Sequence, residues 1–172
     1  MEKAISYALA IVSVILMVVA FMYRNKLGRF KKYGYLGIFI ISLIGNVAFF
    51  SPSAPIISAA GGSIYNPWFV GAVAALGAVI GEMFTYVLGS AAKETNITES
   101  KLYELMKSYM EKNGFLTLVV LACVPNPFFD LAGLVAGATG FPLWQFFVAS
   151  YIGKFLKFTF FAFIGKRFLK NK

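Results

Sequence analysis

The chain has 172 residues, of which 59% are hydrophobic, 17% aromatic and 13% charged, and its net charge is +9. Soluble domains carry about twice that share of charge, so the composition predicts an integral membrane protein of one domain. The sequence has no histidine, which excludes His-based acid–base catalysis and His-ligated zinc or haem, and its one cysteine, Cys123, excludes an internal disulfide. We therefore expect no enzyme, metal or cofactor.

The first predicted element is a transmembrane helix over the uncharged residues 4–23, which are enough to cross the ~30 Å core of a bilayer. The run is too long for the apolar part of a signal peptide, and five basic residues follow at 24–32. A second basic cluster ends the chain at 166–172. Both clusters are typical of cytoplasmic segments that contact anionic lipid, and neither indicates nucleic-acid binding.

The first repeat is predicted over residues 35–89. Its opening apolar segment, residues 35–50, reaches only ~24 Å as a helix, so it does not span comfortably. Ser51 is then placed to cap a short returning helix. Residues 35–65 therefore predict a re-entrant helical hairpin, and Pro67 begins a helix that is long enough to span.

Residues 90–113 form a polar connector in which apolar residues recur at helical spacing, which predicts an amphipathic interfacial helix. The second repeat, residues 114–165, again has a short apolar segment, a break at Asn126 and a spanning helix from Pro142. The tail, residues 166–172, is basic. The residues predicted to break the two hairpins are Pro52, Pro55, Gly61, Pro125, Pro127 and Gly137.

The two repeats are related by a constant spacing, because 127 minus 52 and 142 minus 67 are both 75. With both basic clusters inside, the first hairpin opens to the cytoplasm and the second to the opposite side. The predicted fold is thus an all-α polytopic membrane protein. It consists of an inverted repeat of re-entrant hairpin plus transmembrane helix. One extra N-terminal transmembrane helix and its basic cytoplasmic stretch, residues 1–34 together, precede the repeat. Short hydrophobic segments broken by Gly and Pro in two halves indicate a transport site.

Two motifs resemble those of the DedA/VTT-domain superfamily, the homologues of SNARE-associated Golgi proteins. Gly81-Glu82-x-x-x-Tyr86-x-x-Gly89 is similar to the family's G-[DE]-x-x-x-Y-x-x-G. Pro125-x-Pro127-Phe128, followed by Ala136-Gly137, is similar to the elements of the family's second hairpin, and Ala60-Gly61 ends the first.

This resemblance covers roughly residues 35–165 and implies two facing re-entrant hairpins and a role in moving lipids across bilayers. In bacterial members of the family that role is associated with undecaprenyl phosphate recycling or proton-linked transport. In eukaryotic members it is associated with phospholipid scrambling.

The candidate transport residues are the ionisable and polar groups that fall within the bilayer. A charge there is costly, which favours a functional role for Glu82, Asp130, Lys154 and Lys157. Helix depths counted at 1.5 Å per residue predict that Asp130 pairs with Lys154. The neutral candidates are Ser51 and Asn126, at helix N-termini that suit an anion, and Asn46.

The predicted function is a flippase or scramblase for phosphate-bearing lipids, with a polyprenyl-phosphate carrier as one candidate substrate. The alternatives are a proton- or ion-coupled transporter of small solutes and a scaffold that does not transport. The expected partners are membrane lipids with anionic phosphate headgroups and no nucleic acid, and a homo-oligomer is left open. The expected location is the cell membrane, as a multi-pass protein.

Overall fold

The computed structural model of the chain describes residues 34–47, 53–91, 101–125 and 128–169. Within these ranges all regular secondary structure is helical. The six helices are α1 Gly34–Val47, α2 Ser53–Gly62, α3 Pro67–Ala91, α4 Lys101–Cys123, α5 Phe128–Thr139 and α6 Leu143–Leu169. The predicted helix over 4–23, the basic stretch and the predicted breaks at Ser51, Pro52, Asn126 and Pro127 lie outside the described residues.

Local sequence accounts for where α3 begins and α5 ends. Asn66 caps α3, because its Oδ1 accepts a hydrogen bond from the Trp68 amide at 3.0 Å, and Pro67 occupies the first helical position. At the end of α5, Gly140 adopts a left-handed φ of 72°. The Phe141 amide then donates to the Ala136 carbonyl at 2.9 Å, which closes a Schellman motif and turns the chain towards α6.

Helix α4 consists of two helices joined at Asn113, whose φ of −159° and ψ of 77° are not helical. The Asn113 Oδ1 accepts from the Leu116 amide at 3.1 Å and so caps the second part, residues 114–123. The break at Asn113 coincides with the predicted end of the amphipathic connector, residues 90–113.

The apolar face of the first part of α4 is divided between protein and surface. Tyr103, Met106 and Met110 are buried in a core cluster with α5 and α6, while Leu105 and Tyr109 are about half exposed. The segment is therefore a packed part of the helical bundle as well as an amphipathic one, and only its exposed apolar residues are available to lipid.

Within the described residues, helices α3 and α6 are long and apolar enough to cross a membrane. They pack antiparallel, because Gly71 lies against Thr159 near one end and the rings of Tyr86 and Phe146 are 5.3 Å apart near the other. Their outward faces carry exposed apolar side chains, and Phe84 and Phe160 are 58% and 64% exposed. An apolar exterior around an interior of small residues is typical of helices that pack within lipid.

Two helical hairpins flank this pair. Hairpin 1 is α1 with α2, and hairpin 2 is residues 114–123 of α4 with α5. We call the end at which the two helices of a hairpin are joined its tip, and the other end its open end. At the open end of hairpin 1 the rings of Tyr35 and Tyr65 lie 5.0 Å apart, and Tyr35 also contacts Phe69 near the start of α3. At the open end of hairpin 2, Gly114 lies against the ring of Phe141 next to the start of α6.

The open ends of the hairpins therefore lie at opposite ends of the α3–α6 pair. In each hairpin the first helix packs on one long helix and the second helix on the other: α1 contacts α3 and α2 contacts α6, whereas residues 114–123 contact α6 and α5 contacts α3.

Glycines make these contacts close, and the contacts repeat along the chain. A side chain at Gly62 would collide with the backbone of Ala162, and one at Gly165 with the backbone of Ala59. In the same way, a side chain at Gly137 would collide with the backbone of Tyr86, and one at Gly89 with the backbone of Leu134. The numbers of the matched residues differ by 75 between α2 and α5 (137 minus 62, 134 minus 59) and by 76 between α3 and α6 (165 minus 89, 162 minus 86).

Three predicted breaks are not breaks in the structure. Gly61 and Gly137 lie inside α2 and α5, and Pro55 lies in the first turn of α2. The two glycines serve close helix packing, since a side chain at Gly61 would meet Ile38 and Val70. The first turn of a helix tolerates proline because a backbone N–H group at this position has no acceptor within the helix, so its loss costs no hydrogen bond. Pro125, by contrast, lies two residues after the end of α4 at Cys123.

Candidate functional site

The ionisable residues of the predicted site meet at the middle of the α3–α6 pair. Glu82 of α3 and Lys154 of α6 are both 2% exposed and form a buried ion pair through Glu82 Oε1 and Lys154 Nζ. The close approach of α3 and α6, seen at Gly71, lets these side chains meet across the interface.

The sequence did not predict this partner: Lys154 forms its ion pair with Glu82 of α3, where Asp130 was expected. The predicted depth of Glu82 differs from that of Lys154 because it takes both helices as perpendicular to the membrane with a rise of 1.5 Å per residue. Tilted, crossing helices change depths by several ångströms. Depth also says nothing about which helices are neighbours, and that is decided by the small residues between α3 and α6.

The Lys154 ammonium also contacts both hairpins. It donates a hydrogen bond to Asn46 Oδ1 at 3.3 Å, and Asn46 lies one residue before the end of α1 at the tip of hairpin 1. It lies 4.9 Å from the ring centroid of Phe129, the second residue of α5 at the tip of hairpin 2. One lysine thus connects both long helices and both tips.

The other two charged candidates lie near the same pair. Asp130 and Lys157 both interact electrostatically with Glu82. Lys157 is half-buried, and its ammonium lies 5.4 Å from the ring centroid of Phe158. The structure therefore brings together Asn46, Glu82, Asp130, Lys154 and Lys157, whereas Ser51 and Asn126 lie outside the described residues.

Each fixed position of the motif Gly81-Glu82-x-x-x-Tyr86-x-x-Gly89 makes a contact between helices. Gly81 lies against α1, and Gly89 lies against α5. Tyr86 donates a hydrogen bond of 2.6 Å to the carbonyl of Phe141, at the turn before α6. Glu82 pairs with α6. The motif is thus a line of residues through which α3 holds α1, α5 and α6.

Sequence reasoning missed the apolar walls of the site and several buried hydroxyls. The rings of Phe129 and Phe158 lie beside the Lys154 ammonium, and in a chain with nineteen phenylalanines no signal singles them out. Ser150, one helical turn before Lys154, could have been found from that spacing. The buried side-chain oxygens that have no hydrogen-bond partner in the described part of the chain are Ser42 Oγ, Glu82 Oε2, Ser150 Oγ and Thr159 Oγ1. Within the same ranges, no group of three or more His, Cys, Asp or Glu side chains is placed to hold a metal ion.

Together, the apolar long helices, the exposed apolar exterior and the buried charges define a helical membrane protein with a polar cluster at its centre. The family model for the VTT domain matches residues 51–167, which is more than half of the chain. The chain therefore belongs to the VTT domain family, which confirms the resemblance seen in its motifs.

The relatives of the chain include proteins named for the vacuole membrane. Vacuole membrane protein KMS1 of Arabidopsis thaliana is 36% identical over 100 residues, covering 46% of this chain and 24% of that protein. Vacuole membrane protein 1 of Homo sapiens is 33% identical over 101 residues, covering 46% and 25%. The Dictyostelium discoideum homologue is 41% identical over 54 residues, covering 31% and 13%. The matched part is thus a quarter or less of each relative's length, and no solved structure matches the chain.

Proposed function

We propose that the protein moves phosphate-bearing lipids between the two leaflets of a membrane, as a flippase or scramblase, with a polyprenyl-phosphate carrier as one candidate substrate. The observation that carries this proposal is the Lys154 ammonium, buried among apolar helices yet in contact with the tips of both hairpins. Ionisable residues inside a membrane are costly and mark the paths of polar substrates.

The proposed topology is an inverted repeat whose two hairpins enter the membrane from opposite sides and do not cross it. Three observations support it: the hairpins open at opposite ends of the α3–α6 pair, their second helices pack on the long helix of the other half, and the glycine contacts recur at offsets of 75 and 76 residues. In such a fold, broken helices are tolerated because their ends are buried in protein or line a wet cavity.

In the proposed mechanism the headgroup passes between the two tips while the acyl or prenyl tails stay in the bilayer. The charged cluster replaces part of the headgroup's hydration where lipid tails offer none. The start of α5 lies beside the cluster, so the positive end of its dipole also favours an anion there.

The test is reconstitution of the full chain into liposomes that contain a phospholipid with a fluorescent NBD headgroup. Without transport, external dithionite quenches only the NBD fluorescence of lipids in the outer leaflet. With the protein present, we expect quenching to continue beyond that fraction, because lipids from the inner leaflet reach the outer one. The paired replacement Glu82→Met with Lys154→Met should abolish the excess. Lys166→Met, at an exposed position near the end of α6, should retain it. Quenching that stops at the outer-leaflet share with folded wild-type protein would refute the proposal.

The two alternatives make different predictions in the same liposomes. A proton-coupled solute transporter would move protons or a solute without moving NBD lipid, and a pH-sensitive dye inside the vesicles detects this. A scaffold would keep its cellular function after the paired replacement of Glu82 and Lys154.

For location we propose the cell membrane. The relatives' names offer the vacuole membrane as the alternative, and imaging of the tagged full-length chain in its own cells distinguishes the two.

A further inference from the structure

Lys157 is a charged residue of α6 that takes no part in the ion pair between Glu82 and Lys154. It lies one turn beyond Lys154 in a helix that is long and apolar enough to span a membrane. In the part of the chain that the structure describes, its ammonium forms no ion pair and no hydrogen bond, and its contact is the face of the Phe158 ring. An ammonium in this position needs an anion or water to replace its hydration.

The membrane surface is too distant to supply that anion. The basic residues that end α6, Lys166 and Arg167, are exposed, and Lys157 lies nine residues before Lys166, or ~13 Å along the helix. A lysine side chain that extends towards the surface covers only about half of that distance. The ammonium of Lys157 therefore stays at a depth where lipid tails surround the protein.

The neighbouring charges do not replace an anion either. Glu82, which interacts with Lys157, is already paired with Lys154. Lys154, one turn away, repels Lys157, and the attractions of Glu82 and of Asp130 for Lys157 are each weaker than this repulsion. Because the Lys157 side chain is half-buried and not sealed, a ligand can reach it from the surface of the helical bundle.

We infer that Lys157 binds the phosphate of a lipid headgroup, while Lys154 remains paired with Glu82 one turn away. This inference rests on the proposed function and assigns its substrate contact to a single residue. The phosphate supplies the negative charge that Lys157 lacks, and the tails of the same lipid cover the exposed apolar side chains of α6, such as Leu156 and Phe160. A free phosphate ion shares the headgroup chemistry but lacks the tails.

Binding is measured apart from transport, on the purified full chain in detergent, as the rise in melting temperature with added ligand. The probes are dioctanoyl phosphatidic acid, dioctanoylglycerol with the same tails and no phosphate, and inorganic phosphate. We expect phosphatidic acid to stabilise the wild type and dioctanoylglycerol to have little effect. Lys157→Met should weaken phosphatidic acid binding about tenfold to a hundredfold, the range for hydrogen bonds to charged groups. Lys157→Arg should bind as the wild type does, and so should the control Lys112→Met, at an exposed position outside both basic clusters.

The melting temperature of Lys157→Met without ligand is a second measurement. The inference and a purely structural role of Lys157 predict opposite changes in it. Removal of a buried charge that has no counter-charge should leave the melting temperature of Lys157→Met unchanged or higher. A clear decrease would indicate that Lys157 stabilises the fold and would overturn the inference. Lys157→Gln, which keeps a polar end, repeats the binding measurement in case the methionine variant does not fold.

Three further results would overturn the inference: wild-type affinity for phosphatidic acid in folded Lys157→Met or Lys157→Gln, wild-type lipid transport in either variant, or equal stabilisation by inorganic phosphate and by the lipid. The last result would identify a site for free anions. The failure of the proposed function is a separate result. If the wild type binds phosphatidic acid through Lys157 and yet moves no NBD lipid in liposomes, the site stands and the transport proposal fails.

Discussion

The buried pair of Glu82 and Lys154 allows the sharpest test of the site. Removing one partner leaves a buried charge without its counter-charge, which typically costs ~3–5 kcal/mol of folding free energy. We expect Lys154→Met at the upper end of this range, because it also removes the hydrogen bond to Asn46, worth ~0.5–1.5 kcal/mol. Glu82→Met should lie at the lower end, since one of its two carboxylate oxygens, Oε2, is buried without a hydrogen-bond partner among the described residues.

The double replacement should be far milder than the sum of the two losses. Two methionines of similar volume leave no charge to stabilise, and replacing a buried pair with apolar side chains is often neutral or stabilising. The single losses together exceed ~6 kcal/mol, whereas the double variant should stay within ~2 kcal/mol of the wild type. Equilibrium unfolding of the purified chain in mixed micelles with increasing SDS, followed by circular dichroism, measures all four proteins.

The matched control combines Glu82→Met with Lys166→Met, which removes a lysine of the same helix at an exposed position. These two changes should be additive within ~0.5 kcal/mol, as for distant sites that share no partner. If Glu82→Met and Lys154→Met are equally additive, the pair does not exist in the membrane-embedded protein, and the description of the site is wrong.

Three other predictions concern the packing and the topology. Gly137→Ala should destabilise the protein because the new methyl group meets the backbone of α3. Gly133→Ala on the same helix meets side chains and no backbone, Thr85 at 3.2 Å and Phe146 at 3.7 Å, and should be much milder in the same unfolding assay. Tyr86→Phe should cost ~1–3 kcal/mol in that assay, since it leaves a turn carbonyl without its donor; a wild-type midpoint would contradict this. In a variant without the native cysteine, single cysteines at Ser90 and Lys166 should react with impermeant maleimide from opposite sides, and labelling from one side would refute the proposed topology.

The helices could be predicted from the sequence because their ends depend on local chemistry. Proline at the start of a helix, glycine after its end and a capping side chain act within a few residues. Pro67 therefore marks a predicted helix start that the structure keeps, and Gly140 follows the end of α5. Asn113 marks the break in α4 for the same reason. The same reasoning failed at Gly61 and Gly137, because a glycine that permits a turn and one that permits close packing look alike in a sequence.

The charged site could be predicted only in part. Its members were identifiable because a buried charge in an apolar helix is rare and costly. Their pairing was not, because it depends on how α3 and α6 cross, and this is decided by many small residues on both helices. Asn46 was identified as polar, but nothing in the sequence indicated that its amide oxygen reaches Lys154 from a residue 108 positions away.

The packing of each hairpin on both long helices leads to a last prediction, which concerns motion. Because the first helix of each hairpin packs on one long helix and the second packs on the other, separation of α3 from α6 would also spread the arms of both hairpins and open their tips. A cross-link between α3 and α6 should then block lipid transport, and cysteines at Trp68 and Phe163, whose rings lie 5.5 Å apart, are placed for a short bifunctional reagent. The control is a cross-link between Tyr35 and Phe69, 6.2 Å apart, because α1 and α3 move together in this mechanism and transport should persist. Equal transport by the two cross-linked proteins would show that headgroups pass the tips without separation of the long helices.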